Sequence, residues 1–326
     1  MSRVSINIVT WNGEKYIENC LRSVMNQTFQ DYTIIIIDNG SSDQTLELIN
    51  ERYPHLKIIK HRENHGFAKG HNQAVHWTKS DYVLVLNQDI VLDPDYLQHA
   101  VALLDSNKLI GSVAGKLYRL QDGAKTKYID SLGLKVMKNF RVVELGAGEV
   151  DEGQSSVREE VFGISGAAAI YRRKALEEVQ YQQEYFDELF FAYKEDVDIA
   201  FRLRLAGWQS WMDPEAIAYH DRTVGAEHNK ETKIQVMKSR KRKSKFANFH
   251  SYRNHLYFLQ KCVPKLYPQV FFYEFAKFFY ILLLEPSTLR AWKDFFHNRK
   301  QMKLKRQVAW KNKKIKIEEL TQWFNK

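Results

Sequence analysis

What the 326-residue chain has little of narrows its class first. It holds two cysteines, Cys20 and Cys262. Two cannot build a disulfide framework, and neither sits at metal-ligand spacing, so a reducing compartment is expected. No apolar run reaches the roughly 20 residues that a membrane-spanning helix needs. Met1-Ser2-Arg3 leads straight into the strand-like Val4 to Val9, without the long apolar segment of a secretion signal, and a cytoplasmic protein is expected. No recognised nucleic-acid motif accompanies the basic residues. What remains is 44% hydrophobic and 13% aromatic, enough for a sizeable core in one large or two small domains.

Charge divides the chain. Residues 228–326 carry 24 Lys and Arg against 6 Asp and Glu; the rest carries 25 against 33. A mildly acidic body thus bears a strongly basic tail, suited to phospholipid, polyprenyl phosphate or nucleic acid.

The body alternates strand and helix. Val4 to Val9 reads as a strand, with a turn at Thr10-Trp11-Asn12-Gly13. Helical spacing runs from Glu14 to Met25. Tyr32 to Ile37 is a second strand, ending in Asp38-Asn39-Gly40-Ser41-Ser42-Asp43, and a helix follows from Thr45 to Arg52, capped by Ser42 or Asp43. Leu56 to Lys60 is a third strand; the loop from Glu63 to Gly70 opens a helix through Trp77. Tyr82 to Leu86 is a continuous apolar run, hence a strand buried on both faces, and it breaks off in Asn87-Gln88-Asp89. The repeat implies a doubly wound, parallel sheet whose polar turns share one edge, where a nucleotide-sized ligand would sit. A helix after Pro94 and a strand from Ile110 to Leu120 follow, then an irregular stretch from Asp122 to Gln154.

Val161 to Tyr171 is small and apolar, suited to backbone packed closely against a ligand or a strand. Past Phe186-Asp187-Glu188, a helix opens on Glu195, Asp196 and Asp198. Acidic residues favour a helix start, and Asp198 can pair with Arg202 four residues on. Three carboxylates in four residues exceed what capping needs, and crowding raises a pKa unless a cation compensates. His220 closes a final strand-like piece.

Taken in order, Thr10-Trp11-Asn12-Gly13, Ile37 to Asp43, Asn64 to Asn72, Leu86-Asn87-Gln88-Asp89, Ser165-Gly166-Ala167, Phe186-Asp187-Glu188 and Tyr193 to Asp198 resemble the family 2 glycosyltransferases, in particular their bacterial rhamnosyltransferase-like branch. The resemblance covers about two thirds of the chain, Val4 to Arg222. It implies an α/β GT-A fold and inverting transfer of a sugar from a nucleoside diphosphate sugar (dTDP-, UDP- or GDP-linked), usually with Mg²⁺ or Mn²⁺. Rhamnose is among the sugars implied. The acceptor would be a hydroxyl of a glycan or a polyprenyl-diphosphate-linked glycan in cell-surface polysaccharide synthesis.

By the same resemblance Asp38 accepts from the nucleotide base. Thr10, Asn12, Asn39, Ser41, Asn64, Gly66, Phe67, Gly70, Asn72 and Asn87 belong to the donor site. Asp89 holds the metal with His220 as second ligand, and Asp196 is the general base with Glu195 beside it. The residues alone do not separate Asp196 from Glu195. Two departures stand out: Asn87-Gln88-Asp89 has one carboxylate where many relatives have two, and Tyr185 precedes Phe186 where relatives have glycine.

The implied division is residues 1–227 as catalytic domain, with 1–120 the nucleotide-sugar half and 121–227 the acceptor half, and 228–326 as a basic helical extension. Within the extension Phe271 to Leu284 is apolar and aromatic but interrupted by Glu274 and Lys277. It fits an interfacial helix at the inner face of the cell membrane, or a helix packed on the body. Two other readings compete: a non-catalytic sugar-nucleotide-binding homologue, and a nucleic-acid-binding protein acting through the tail.

Overall fold

The computed structural model describes residues 2–121, 123–221, 244–265 and 267–324. The cationic run from Lys238 to Lys243, and Arg222, lie outside them. The first half is β1 (Val4–Thr10), α1 (Ile17–Met25), β2 (Tyr32–Asp38), α2 (Thr45–Arg52), β3 (Lys57–Lys60), α3 (Gly66–His76) and β4 (Tyr82–Asn87). Parallel pairing sets the order β4-β1-β2-β3, so the ends of β1, β2 and β4 meet on one edge.

β4 is hydrophobic at every inner position because both its faces are covered. Leu84 and Leu86 join Ile6, Ile8, Ile36 and Leu97 in one core. Val83 and Val85 join Val75, Tyr171 and Ile199 in the other. At about 1.5–3 kcal/mol per fully buried aliphatic side chain, these two layers supply most of the drive for the sheet. The helix after β2 begins without a side-chain cap on its N-cap residue, Gln44; Asp43 accepts instead from the Thr45 N–H at 3.1 Å.

The second half departs from the regular repeat. It runs β5 (Ile90–Leu92), α4 (Tyr96–Ser106), β6 (Ile110–Gln121), β7 (Ala124–Ser131), β8 (Leu134–Val136), β9 (Val142–Glu144), β10 (Glu159–Val161), β11 (Ala168–Arg172), α5 (Arg173–Val179), α6 (Glu195–Leu205) and β12 (Gln209–His220). β11 inserts antiparallel between β4 and β6, and β12 lies parallel to β6. The stretch expected to be irregular, residues 122–154, contains β7 to β9. β7 pairs antiparallel with β6. Its outer half is solvated, with Lys125 and Lys127, and only Ile129 to Ser131 are buried. A strand recruited by its neighbour's edge carries little periodicity of its own.

The described part of the extension forms α7 (Lys245–Cys262), α8 (Pro268–Leu284), α9 (Arg290–Lys311) and α10 (Ile317–Thr321). These helices share a core with the body: Phe258, Cys262, Ala309 and Leu320 pack with Val136, Phe162 and Phe201. A buried charge cluster crosses the same seam. Lys261 Nζ lies 2.7 Å from Asp187 and 2.8 Å from Asp198, and Lys305 Nζ lies 2.6 Å from both Asp187 and Glu184. The expected Asp198–Arg202 pair forms at 2.8 Å.

Candidate active site

On the sheet edge, the loops after β1 and β2 are laced together. Asn12 takes a left-handed backbone, φ 48°. Its N–H donates to Ser41 Oγ and its Oδ1 accepts from the Ser42 N–H, both at 2.9 Å. Gln88 Oε1 accepts from the Trp11 N–H at 3.0 Å and from the Thr10 hydroxyl. Gln88 therefore braces the first loop. Asp38 is buried at the end of β2. Its Oδ2 accepts from the Gly40 and Ser41 N–H groups, each at 3.2 Å, whereas Oδ1 is buried with no hydrogen-bond partner. An orphaned carboxylate oxygen at this edge is an acceptor waiting for an N–H donor.

The α3 loop joins the same wall. Asn39 Nδ2 donates to Gly66 O at 3.1 Å, and Asn64 Oδ1 accepts from the Gly66 N–H at 2.8 Å. Gly66 has φ +85°, and a Cβ there would meet Phe191 O at 2.6 Å, so the position admits only glycine. Gly70 and Asn72 lie deeper in α3. Gly70 lets the helix approach Val9. Asn72 spans to Phe186, donating to its carbonyl and accepting from its N–H at 2.8 Å each.

Asp89 follows β4 and faces His220, the last residue of β12. His220 Nε2 lies 3.3 Å from Asp89 Oδ2, and Nδ1 lies 2.8 Å from Asp130 Oδ2 at the end of β7. A carboxylate on Nδ1 sets the tautomer that leaves Nε2 able to bind a cation, an arrangement that recurs behind metal-bound histidines. Asp89 and His220 thus fit a divalent cation as its protein ligands. Among the described residues no group of three or more such side chains assembles, so phosphate oxygens and water would complete the shell. Asp130 gave no signal in the sequence, because its strand was not legible.

The carboxylates of α6 approach from the other side. Asp196 Oδ2 accepts from the Gly166 N–H at 3.2 Å and Oδ1 from the Val197 N–H at 2.7 Å. A Cβ on Gly166 would stand 3.3 Å from Asp196 Cβ and 3.7 Å from the Phe67 ring, so the small residue allows the contact. Next in chain, the Asn87 N–H donates to Ala167 O at 2.9 Å. Residues 165–167 therefore connect the Asp89 turn, the Phe67 loop and Asp196 into one site. Burial raises the pKa of Asp196 against the pull of those two N–H groups. Glu195 is buried with Oε2 unbonded, and burial and then the neighbouring Asp196 charge push it well above the carboxylate range. The two differ in surroundings: backbone N–H groups donate to both oxygens of Asp196, whereas Glu195 Oε2 is buried with no hydrogen-bond partner. Asp187 behaves oppositely. Burial alone would raise it, but Lys261 and Lys305 hold it well below the ordinary value.

Loops tied around Asp38, the Asp89–His220 pair and the Asp196 carboxylate meet along this sheet, in a fold of GT-A type. The profile of glycosyl transferase family 2 matches residues 5–180, more than half of the chain, and the chain belongs to that family. It is 27% identical over 234 residues to the N-acetylglucosaminyl-diphospho-decaprenol L-rhamnosyltransferase of Mycobacterium tuberculosis, spanning 65% of this chain and 74% of that protein. It is 39% identical over 98 residues to the chondroitin synthase of Pasteurella multocida, 29% of this chain but a tenth of the synthase's length (10%). Among solved structures it is similar to GalNAc-T7 with UDP, GalNAc and Mn²⁺ (TM-score 0.60, 14% identity, 80% of this chain and 49% of that one). It is also similar to S. aureus TarS 1-349 in complex with UDP-GlcNAc (TM-score 0.52, 18% identity, 99% and 79%). At these identities the structural likeness is one of fold.

Proposed function

We propose that the protein is an inverting glycosyltransferase that moves a sugar from a nucleoside diphosphate to a hydroxyl of a glycan or polyprenyl-diphosphate-linked acceptor. The observation that carries this reading is the bridge at residues 165–167, which sets Asp196, free of any salt bridge among the described residues, beside the wall that ends in Asp38 and Asp89. We assign residues 1–120 to the donor half and 121–227 to the acceptor half, and the described helices α7 to α10 pack into the core of the latter.

Asp38 Oδ1 takes an N–H of the base. Asn12, Ser41, Asn64, Gly66, Phe67 and Asn87 line the nucleotide and its phosphates, while Thr10, Asn39, Gly70 and Asn72 hold those loops in shape. Asp89 and His220 would hold Mg²⁺ or Mn²⁺, which supplies charge stabilisation to the departing diphosphate. Asp196 accepts the proton of the acceptor hydroxyl as its oxygen bonds to the anomeric carbon and the bond from that carbon to the diphosphate breaks. One displacement inverts the centre and needs no covalent enzyme intermediate, by analogy with inverting glycosidases. The similarity to the mycobacterial enzyme favours a deoxyhexose such as rhamnose and a lipid-linked acceptor. Thermal-shift titration with dTDP-, UDP- and GDP-sugars, with and without Mn²⁺, tests the donor. One class should raise the melting temperature, and the absence of any shift would overturn the reading.

The acceptor class puts the enzyme at the cytoplasmic leaflet, and α8 supports that placement. Phe271, Phe272, Phe275, Phe279, Leu282, Leu283 and Leu284, with Phe296 of α9, are between 42% and 75% exposed. So large an apolar face asks for a partner. Among the described residues no helix is long and apolar enough to cross a membrane. On α9, Lys293, Arg299, Lys300 and Lys303 are exposed as well and suit anionic headgroups. Full-length protein should sediment with anionic vesicles. The Phe272→Ser/Leu283→Ser variant should do so several-fold less; equal sedimentation would exclude α8 as the contact.

A further inference from the structure

The segment leading into the α6 carboxylates has an unusual backbone. Phe191, Tyr193 and Lys194 have φ of 62°, 72° and 68°. None is glycine, and the left-handed region is unfavourable for side chains of this size. Such conformations persist only where surroundings over-determine them. Lys194 is also the N-cap of α6, so the strained segment directly sets where Glu195 and Asp196 project.

The surroundings come from α7, in the extension. Asn254 is fully buried, and its Nδ2 lies 2.8 Å from Phe190 O, 2.8 Å from Ala192 O and 2.7 Å from Tyr193 O. Arg253 Nη2 donates to Leu189 O at 3.0 Å and Phe190 O at 3.1 Å. Arg253 Nε donates to Asn254 Oδ1 at 3.1 Å, which fixes the amide with its N–H groups toward the segment. From the opposite side the Ala68 N–H donates to Phe191 O at 3.2 Å, tying the segment to the loop that begins α3. The carbonyls of residues 189, 190, 192 and 193 are thus gathered by two adjacent side chains of a helix that no sequence motif singled out.

We propose that Asn254, oriented by Arg253, is a positioning residue for transfer: it holds residues 190–194 in the path, left-handed at 191, 193 and 194, from which Asp196 reaches the acceptor hydroxyl. The extension is then a working part of the active site as well as a membrane-facing appendage. This rests on the glycosyltransferase reading for its kinetic consequence, though not for its structural one. Asn254 Nδ2 bonds the carbonyls of residues 190, 192 and 193, so its loss should act on the step in which Asp196 takes the proton. Misplacing a catalytic group by about 1 Å can cost on the order of 100-fold in rate.

The test is the kinetics of the full-length chain with vesicle-bound acceptor. Asn254→Ala should lower kcat on the order of 100-fold, with donor KM and donor affinity by calorimetry changed less than about threefold. Adding Tyr193→Gly should restore part of kcat, because glycine adopts the left-handed path without the clamp. Amide exchange should rise across residues 189–196 and stay unchanged at the β1 loop. If Asn254→Ala keeps kcat, or loses kcat, donor affinity and melting temperature together without rescue by Tyr193→Gly, the assignment is wrong. Should Asn254→Ala not fold, Arg253→Met, which leaves a long apolar side chain beside Phe249 and Tyr257, must show the same split in smaller measure. A wild-type chain that transfers no sugar from any donor would sink the glycosyltransferase reading, while amide exchange would still decide whether the clamp holds the segment.

Discussion

Within twelve residues, the chain carries two pairs of carboxylates with opposite surroundings. Asp187 and Asp198 are buried and matched by Lys261, Lys305 and Arg202. Glu195 is buried and Asp196 half-buried, no salt bridge reaches either among the described residues, and desolvation raises both. The cations delivered by the C-terminal helices go to the first pair and pass by the second. Neutralised carboxylates hold the seam; carboxylates left without a cation keep a proton affinity useful for catalysis. Asp130 is likewise paired, with His220, whereas one oxygen of Asp38 is buried with no hydrogen-bond partner.

Substitutions on either side of that contrast should have different signatures. The largest effect is expected for Asp196→Asn: a loss of about 10²–10⁴ in kcat with donor affinity retained. If ionised Asp196 is the working form, as the proposed mechanism requires, its raised pKa means that kcat should fall on acidification through a value above the ordinary 3.9 or so. An acidic limb at or below that ordinary value would mean that the site is wetter than the structure shows. Asp187→Asn should act on stability, since it leaves two buried lysines short of a partner, at a cost of about 3–5 kcal/mol. Its depressed pKa gives the pH window. The stabilisation is complete above the unfolded carboxylate value of about 3.9 and is lost as pH falls through the lower folded one. The melting-temperature gap between wild type and Asp187→Asn should therefore narrow in strong acid. A gap that persisted there would assign the loss to packing. The smallest effect is expected for Asp130→Asn, which should weaken Mn²⁺ binding in the presence of nucleotide by about 10–100-fold, read by calorimetry, without moving the melting temperature of the metal-free protein greatly. Unchanged Mn²⁺ affinity would remove Asp130 from the cation site.

Legibility followed the same division. The two-sided burial of β4, the paired turns after β1 and β2, and the α6 acidic start were readable because each is a local pattern: a continuous apolar run, Gly and Asx residues at a strand end, carboxylates in a first helical turn. Resemblance then named their roles, and geometry has arranged them on one edge. Unreadable were the elements whose identity depends on a neighbour. β7 is a strand because β6 offers it an edge, so Asp130 was hidden in a stretch that looked irregular. Arg253 and Asn254 sit on a helix rich in polar residues, and nothing local marks them as a clamp.

By itself, the sequence determined that this chain would build a doubly wound sheet with polar strand ends, and that an acidic body would carry a basic, aromatic tail. Only the tertiary structure decided which carboxylates receive a cation, and that part of the tail turns inward. Lys261 and Lys305 are remote in sequence from Asp187, and α8 keeps its aromatic face outside while Val270 packs on the body and Ile281 on α7 and α9. Periodicity is a short-range property of the chain and survives in any tertiary context. Charge pairing across a seam is set by which elements end up adjacent, and no single segment contains that information.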